Sequence, residues 1–400
     1  MDAHHFLAQL RAQTYADLGI SLTRFGSADP ERAIDWMHRD AWPRERLQDP
    51  RSRTLRDYAK EHISGKTFDD LMSQSLTRIQ KNIEATAATR VDGIDVARRR
   101  LLISHLHTGQ LNAVSMRVPG NSQDYLVLFE DQITEFANKL SSIIALTVFH
   151  GPFDSDDKVW FTLSLPEAAE RIENDPSIAE RFAEVVVDYA VTGSITGSGQ
   201  HRTPLPPSSF GLLLYASLFY FVVGHECAHI ITGHCDEAPT RKGVLPAVEV
   251  ESLEYSWVRE AEADYIGAIL AINAGIEHAN SDVVGGFLGI CLFFDALEVM
   301  DRAVSLLETG DENACQLGSH PPAIVRLHLL RENLPPAFGG APGVVENVQK
   351  ALKMAEIQEG IIRLLWSYTR PVLLDFRRRG VTAARTWRTI PKESGKDSPI

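Results

Sequence analysis

The chain predicts a mainly helical fold with a small β-sheet, an α+β arrangement in which helical regions flank a central unit. Three observations carry this expectation. Helix-start signals followed by apolar residues at helical spacing recur along the chain. One short stretch, Asn112 to Phe129, alternates like strands around a turn. Two apolar runs, Phe210 to Val223 and Gly285 to Phe294, read as helices buried in a core.

The elements follow in order. Asp29-Pro30-Glu31 is a helix start with proline at the first helical position. Thr67-Phe68-Asp69-Asp70 resembles a capping box with Asp in place of Glu, followed by apolar Leu71, Leu76 and Ile79. Arg98-Arg99-Arg100 reads as a solvated helix face next to Leu101 and Leu102. Residues 1–108 are therefore expected to form a helical N-terminal region. The pattern changes near Gly109. Asn112 to Val118 alternates loosely, Pro119-Gly120-Asn121 is a turn, and Tyr125 to Phe129 is an apolar strand. Asp131 opens a helix through Ile133, Phe136, Leu140 and Ile144. Residues 166–191 read as one further helix with Pro166 at its first position, inside an insertion of about 150–208. Thr192 to Ser209, rich in Gly, Ser, Thr and Pro, reads as a long loop. One long helical pattern runs from Val344 to Tyr368 and is expected to stop at Thr369-Arg370-Pro371. Residues 333–400 thus form a helical C-terminal region with a frayed tail, in which Arg377 to Arg379 read as solvated charge.

Composition excludes some classes of function. A formal net charge of -13 is not that of a general nucleic-acid binder. Four cysteines are too few for a disulfide framework in 400 residues, and none are spaced as a zinc-type CxxC pair. A metal site would have to be built from histidine and carboxylate. The N-terminus lacks the basic region and apolar run of a signal peptide. Neither apolar run reaches the roughly 20 uninterrupted apolar residues of a membrane span. A soluble, cytoplasmic chain without stable membrane insertion is the expectation.

Chemistry concentrates in Gly224-His225-Glu226-Cys227-Ala228-His229. On a helix, positions i and i+4 share a face, so both imidazoles can bind one ion. Glu226, next to the first histidine, can act as general base on a water that the ion acidifies, without being a ligand. A buried helix would not carry two His and a Glu unless something satisfied them. His234 has the wrong spacing for a third ligand if the helix continues, and reads as a loop histidine beside the site. Cys227 and Cys235 read as small buried residues. The better third ligand lies in Arg259-Glu260-Ala261-Glu262-Ala263-Asp264. Glu260 and Asp264 are i and i+4, so Glu260 can bind the metal while Asp264 accepts a hydrogen bond from a ligand imidazole. Glu262, two residues on, points elsewhere.

With these two helices the chain resembles the gluzincin metallopeptidases, and among them the HtpX and CAAX-prenyl-protease group. That group pairs a His-Glu-x-x-His helix with a Glu-x-x-x-Asp helix whose Glu is the third zinc ligand. Asn112-Ala113 before the hairpin resembles the family's Asn-Ala segment leading into an active-site edge strand. Ser319-His320-Pro321-Pro322, with Arg326 following, resembles its Thr-His-Pro segment and downstream Arg. The resemblance implies a zincin-like metallopeptidase domain over about 109–332, with zinc as cofactor and His225, His229 and Glu260 as ligands. It also implies a catalytic role for Glu226 and for His320, the latter as an oxyanion donor or a plug near the metal. A structural turn before a helix starting at Pro321 is the other reading of His320. The membrane spans typical of the group are absent from the sequence pattern. Repressor-cleaving ImmA/IrrE-like and phage-exclusion Lit-like peptidases are alternative resemblances. The implied activity is hydrolysis of peptide bonds in a protein or peptide substrate. The alternative is a zinc-containing sensor or regulatory protein that cleaves one specific partner or acts mainly by binding.

Overall fold

The computed structural model describes residues 2–18, 68–90, 99–106, 113–121, 123–150, 161–195, 198, 207–236, 241–242, 251–252, 257–278, 281–314, 321–338 and 342–384. Asp29-Pro30-Glu31, Thr67, Asn112, Ser319 and His320 lie outside them, as does most of the 192–209 loop.

The protein is mainly helical with a small three-stranded sheet. Helices α1 (Ala3–Leu18) and α2 (Phe68–Arg90) precede strand β1 (Arg100–Leu106). Strands β2 (Ala113–Arg117) and β3 (Asp124–Glu130) form the hairpin expected around Pro119-Gly120-Asn121, closed by the Val118 N–H donating to the Asp124 carbonyl at 2.8 Å. The sheet order is β1-β3-β2, with β1 parallel and β2 antiparallel to the central strand.

Strand β1 corrects the reading of Arg99 and Arg100 as part of a solvated helix face; Arg98 lies outside the described residues. Arg100 opens the strand, and Arg99 is an internal partner whose guanidinium lies 3.0 Å from Asp236. The run Leu101 to Leu106 carries apolar residues on both sides, with Ser104 and His105 among them, a pattern that helix and strand share; pairing with β3 decides it. The sheet therefore crosses the boundary expected near residue 109.

The sheet buries both faces, which is why β3 is apolar at every position from Tyr125 to Phe129. Leu126 and Leu128 face α1, where Leu7, Leu10, Val114 and Met116 join them. Tyr125, Val127 and Phe129 face the main core. Helix α3 (Asp131–Thr147) follows directly, as its pattern requires. A two-residue pair, β4 (Phe149–His150) and β5 (Phe161–Thr162), leads to α4 (Leu165–Asn174) and α5 (Ser177–Thr192).

The single helix expected over 166–191 is thus two. Pro176 lacks an N–H and crowds the residue before it, and Asp175 is pushed out of the helical region to φ -131° and ψ 83°. Pro166 does sit in the first turn of α4, and Ser164 caps it through the Glu167 N–H.

Three long helices form the centre: α6 (Pro207–Ile231), α7 (Trp257–His278) and α8 (Val283–Thr309). Between α6 and α7 lie a 3₁₀ turn (His234–Asp236) and a small pair, β6 (Arg241–Lys242) with β7 (Glu251–Ser252). Ser209–Ile231 and Val283–Thr309 are long and apolar enough to cross a membrane, longer than the uninterrupted apolar runs suggest. Their most apolar windows are 78% and 83% buried within the protein, the situation of core helices.

Helices α9 (Ala323–Ala337) and α10 (Pro342–Arg378) complete the bundle. α10 overruns its expected stop and continues through Pro371. Packing outweighs the lost backbone hydrogen bond: Leu373 beyond the proline is fully buried. The Arg377 guanidinium donates to the carbonyls of Leu307 and Glu308 at 2.6 and 2.7 Å, capping the end of α8. Arg377 is therefore a partnered group and not solvated charge.

Candidate metal centre

The site exists because α6 and α7 touch backbone to backbone. A Cβ on Gly224 would lie 2.7 Å from the Gly267 carbonyl oxygen, and one on Gly267 would lie 2.7 Å from the His225 nitrogen. Only glycine at both places allows this approach. It sets the His225 turn of α6 against the Glu260–Asp264 turn of α7. At the other end of α6, Gly233 takes φ +84°, which stops the helix and turns the chain into the 3₁₀ segment.

His225, His229 and Glu260 converge, and all three are buried. The two Nε2 atoms are 3.2 Å apart. Glu260 oxygens lie 3.3 Å from His229 Nε2 and 3.7 Å from His225 Nε2. Ligands on a tetrahedral ion with bonds of about 2.0–2.1 Å are separated by roughly 3.3–3.4 Å, so the spacing suits one such ion. Two imidazole lone pairs aimed at one another also need a cation or a proton between them.

Charge leads to the same conclusion. Glu226, Glu260 and Asp264 carry three formal negative charges in a site with 0–5% exposure, against one guanidinium from Arg326. A divalent cation would balance them, and unbalanced buried charge is costly. Glu226 is the residue between the ligand turns, and its buried Oε2 has no hydrogen-bond partner among the described residues. The group can hold a metal ion.

The surrounding contacts fix the ligands. His225 Nδ1 lies 2.9 Å from Asp264 Oδ1. Arg326, on α9, grips Asp264 with two hydrogen bonds of 2.7 and 2.6 Å and approaches Glu260 at 3.1 Å. Its guanidinium also stacks over Phe294 at 5.2 Å. Burial raises the Asp264 carboxyl, but the charge and hydrogen bonds of Arg326 together with the contact to His225 outweigh it and hold the group below its ordinary value. Burial works against the His225 imidazolium, but the contact with Asp264 wins and its pKa is raised.

Of the residues expected at the site, His225, Glu226, His229, Glu260 and Asp264 come together. His320 lies outside the described residues. Arg326, identified by resemblance, is the cation of the site. Two residues set aside from the metal shell belong near it. His234 Nδ1 lies 2.9 Å from His229 Nδ1, and His234 Nε2 lies 3.2 Å from Glu262 Oε2. Glu262 is the partner of His234 and is not part of the His225–His229–Glu260 group. Only the fold brings the loop histidine to it. Burial and the neighbouring His229 lower the His234 pKa despite Glu262. Cys227 and Cys235 are buried, and burial pushes the Cys235 thiol up to about 12 and Cys227 well above its usual value.

Strand β2 lies at the edge of the sheet and packs on α6 and the 3₁₀ turn, with Ser115 3.7 Å from Cys235 Sγ. Comparison with protein-family models, with curated proteins and with solved structures finds no match to this chain.

Proposed function

We propose that the protein is a zinc-dependent peptidase of the gluzincin type, with a zincin-like catalytic unit. The observation that carries this reading is the convergence of His225, His229 and Glu260 beside Glu226, whose buried Oε2 has no hydrogen-bond partner among the described residues. His and carboxylate donors suit zinc, and three protein ligands leave a fourth position open, as catalytic zinc requires and structural zinc does not. When bound, the ion supplies a Lewis acid for a peptide carbonyl and brings the pKa of a nearby water to about 7.

The chain's own residues do the rest. Glu226 accepts the water's proton at Oε2 and returns it to the leaving amine. Asp264 orients the His225 ring, and Arg326 keeps Asp264 ionised and holds both Asp264 and Glu260 in place. Strand β2 offers an unpaired edge near α6 on which an extended peptide can add as a further strand. The proposed setting is the cytoplasm, without membrane insertion.

A second reading is favoured by burial. His225, Glu226 and His229 are at most 8% exposed, which suits an enzyme that opens to one protein partner instead of digesting peptides at large.

The test is Glu226→Gln. It should retain about one zinc per chain and lose hydrolysis of a peptide library, since it removes the base and no ligand. Undiminished cleavage would put the base elsewhere. A wild-type chain that holds zinc and cleaves no library member would move the reading to the single-partner enzyme, sought by capture with the Glu226→Gln chain.

A further inference from the structure

Behind His229, on the side away from Glu260, two polar side chains continue outward from the metal centre. His229 turns Nε2 toward His225 and Glu260 and turns Nδ1 toward His234 at 2.9 Å. His234 in turn presents Nε2 to Glu262 at 3.2 Å. We infer that His234 and Glu262 are positioning residues for the metal centre, fixing the tautomer and orientation of the His229 ligand. The inference rests on the metal-peptidase reading above and deepens it.

The proton positions follow in sequence. A ligating imidazole must be neutral with its lone pair toward the ion. Nε2 of His229 is the nitrogen that faces the other ligands, so its ring proton is on Nδ1. That N–H donates to His234 Nδ1, which therefore carries no proton. The His234 proton is then on Nε2, where it donates to the Glu262 carboxylate. The chain of donors ends on a negative charge whose side chain is half exposed. Both nitrogens of His234 are engaged, so neither is left to touch substrate.

The arrangement answers a geometric need. Asp264 shares the Glu260 face of α7 and reaches His225 directly. Glu262, two residues from Glu260, points off that face and cannot do the same for His229. The loop ring spans the gap. Its position is set by the sheet and not by the metal. Asp236 is hydrogen-bonded to the Tyr125 hydroxyl and lies 3.0 Å from Arg99, and Cys235 contacts Ser115 on β2. The 3₁₀ turn is thus held to the β2–β3 hairpin by contacts that do not involve the candidate ligands.

The test is zinc affinity, read by competition with a chromophoric chelator on the full chain, with the thermal midpoint of the metal-free protein measured alongside. His234→Phe and Glu262→Ala should each weaken zinc binding roughly 10- to 100-fold. His234→Asn, whose side-chain oxygen can accept where Nδ1 does, should recover most of the loss. The metal-free midpoint of Glu262→Ala should match wild type, because its side chain is half exposed. Wild-type affinity in both variants would overturn the inference, as would an equal loss in His234→Asn and His234→Phe. Should His234→Phe fail to fold, Glu262→Ala decides alone. A chain that binds one zinc and responds as expected, but cleaves neither a library peptide nor a partner captured by the Glu226→Gln chain, would end the peptidase reading and leave this one standing. A wild-type chain that binds no zinc would end both.

Discussion

At the scale of the residue, buried carboxyl groups differ in what surrounds them. Asp264 is held ionised by Arg326. Asp295, in the middle of α8, has no ion pair among the described residues, and the charge of Arg331 acts on it only from further off. Burial pushes its carboxyl up to about 7, although Gln358 donates to it at 3.4 Å. The linkage has a definite sign. A carboxyl whose folded pKa is raised favours the protonated folded state, so its cost to stability grows as pH rises from about 4 to about 7 and is full above that. Asp295→Asn should therefore leave stability unchanged near pH 4. At pH 8 it should raise stability by something on the order of 2–4 kcal/mol, read from urea unfolding. An equal gain at both pH values would show that packing, and not ionisation, sets the cost.

At the scale of the element, the site depends on how closely two helices lie. The α6–α7 contact at Gly224 and Gly267 has no room for a methyl group, and the atoms in the way are backbone. Gly267→Ala must push α7 away from His225. It should cost about 1–3 kcal/mol as an overpacking change and spoil the ligand geometry along with it. Zinc content after dialysis should fall more than the loss of stability accounts for. Gly360→Ala, where a Cβ would meet only the end of the Leu165 side chain at 3.1 Å, is the control that should keep its zinc. Full zinc retention in Gly267→Ala would mean that the two helices can part without disturbing the centre. The breaks and extensions of other helices follow the same balance of local rule and packing. Pro176 ends α4 because it supplies no N–H and Asp175 before it leaves the helical region, and the buried Ile178 and Ala179 beyond the break belong to a new helix. Pro371 fails to end α10 because Leu373 and Arg377 are held by the bundle.

At the scale of the whole molecule, the candidate metal centre joins parts that are distant in the chain. α6 and α7 carry the candidate ligands, α9 supplies Arg326, and the sheet holds the turn with His234. An ion that binds only this assembled state stabilises it by mass action, so zinc at 100 times its Kd should add about 2.7 kcal/mol. The thermal midpoint should rise with added zinc and fall after chelation, and His225→Ala should abolish the response. A midpoint indifferent to zinc in the wild-type chain would count against the site. Because the two apolar helices are mostly buried inside the protein, the chain should also be recovered without detergent.

Much of this centre was legible in the sequence. The i,i+4 spacing of His225 with His229 and of Glu260 with Asp264 is a property of any helix, so shared faces follow from spacing alone. The β2–β3 hairpin and the start of α3 were legible for the same reason, since turn residues and period-2 alternation act locally. What local pattern leaves undecided is which partner a segment finds. Leu101 to Leu106 suits helix or strand until β3 lies beside it, and Pro371 breaks a helix unless packing holds the next turn. His234 and Glu262 are 28 residues apart, and no spacing rule links a loop histidine to the off-face residue of another helix. Spacing along a helix is set by backbone geometry that every sequence shares. Contacts between distant segments are set by which apolar surfaces bury one another, and only the folded chain decides that.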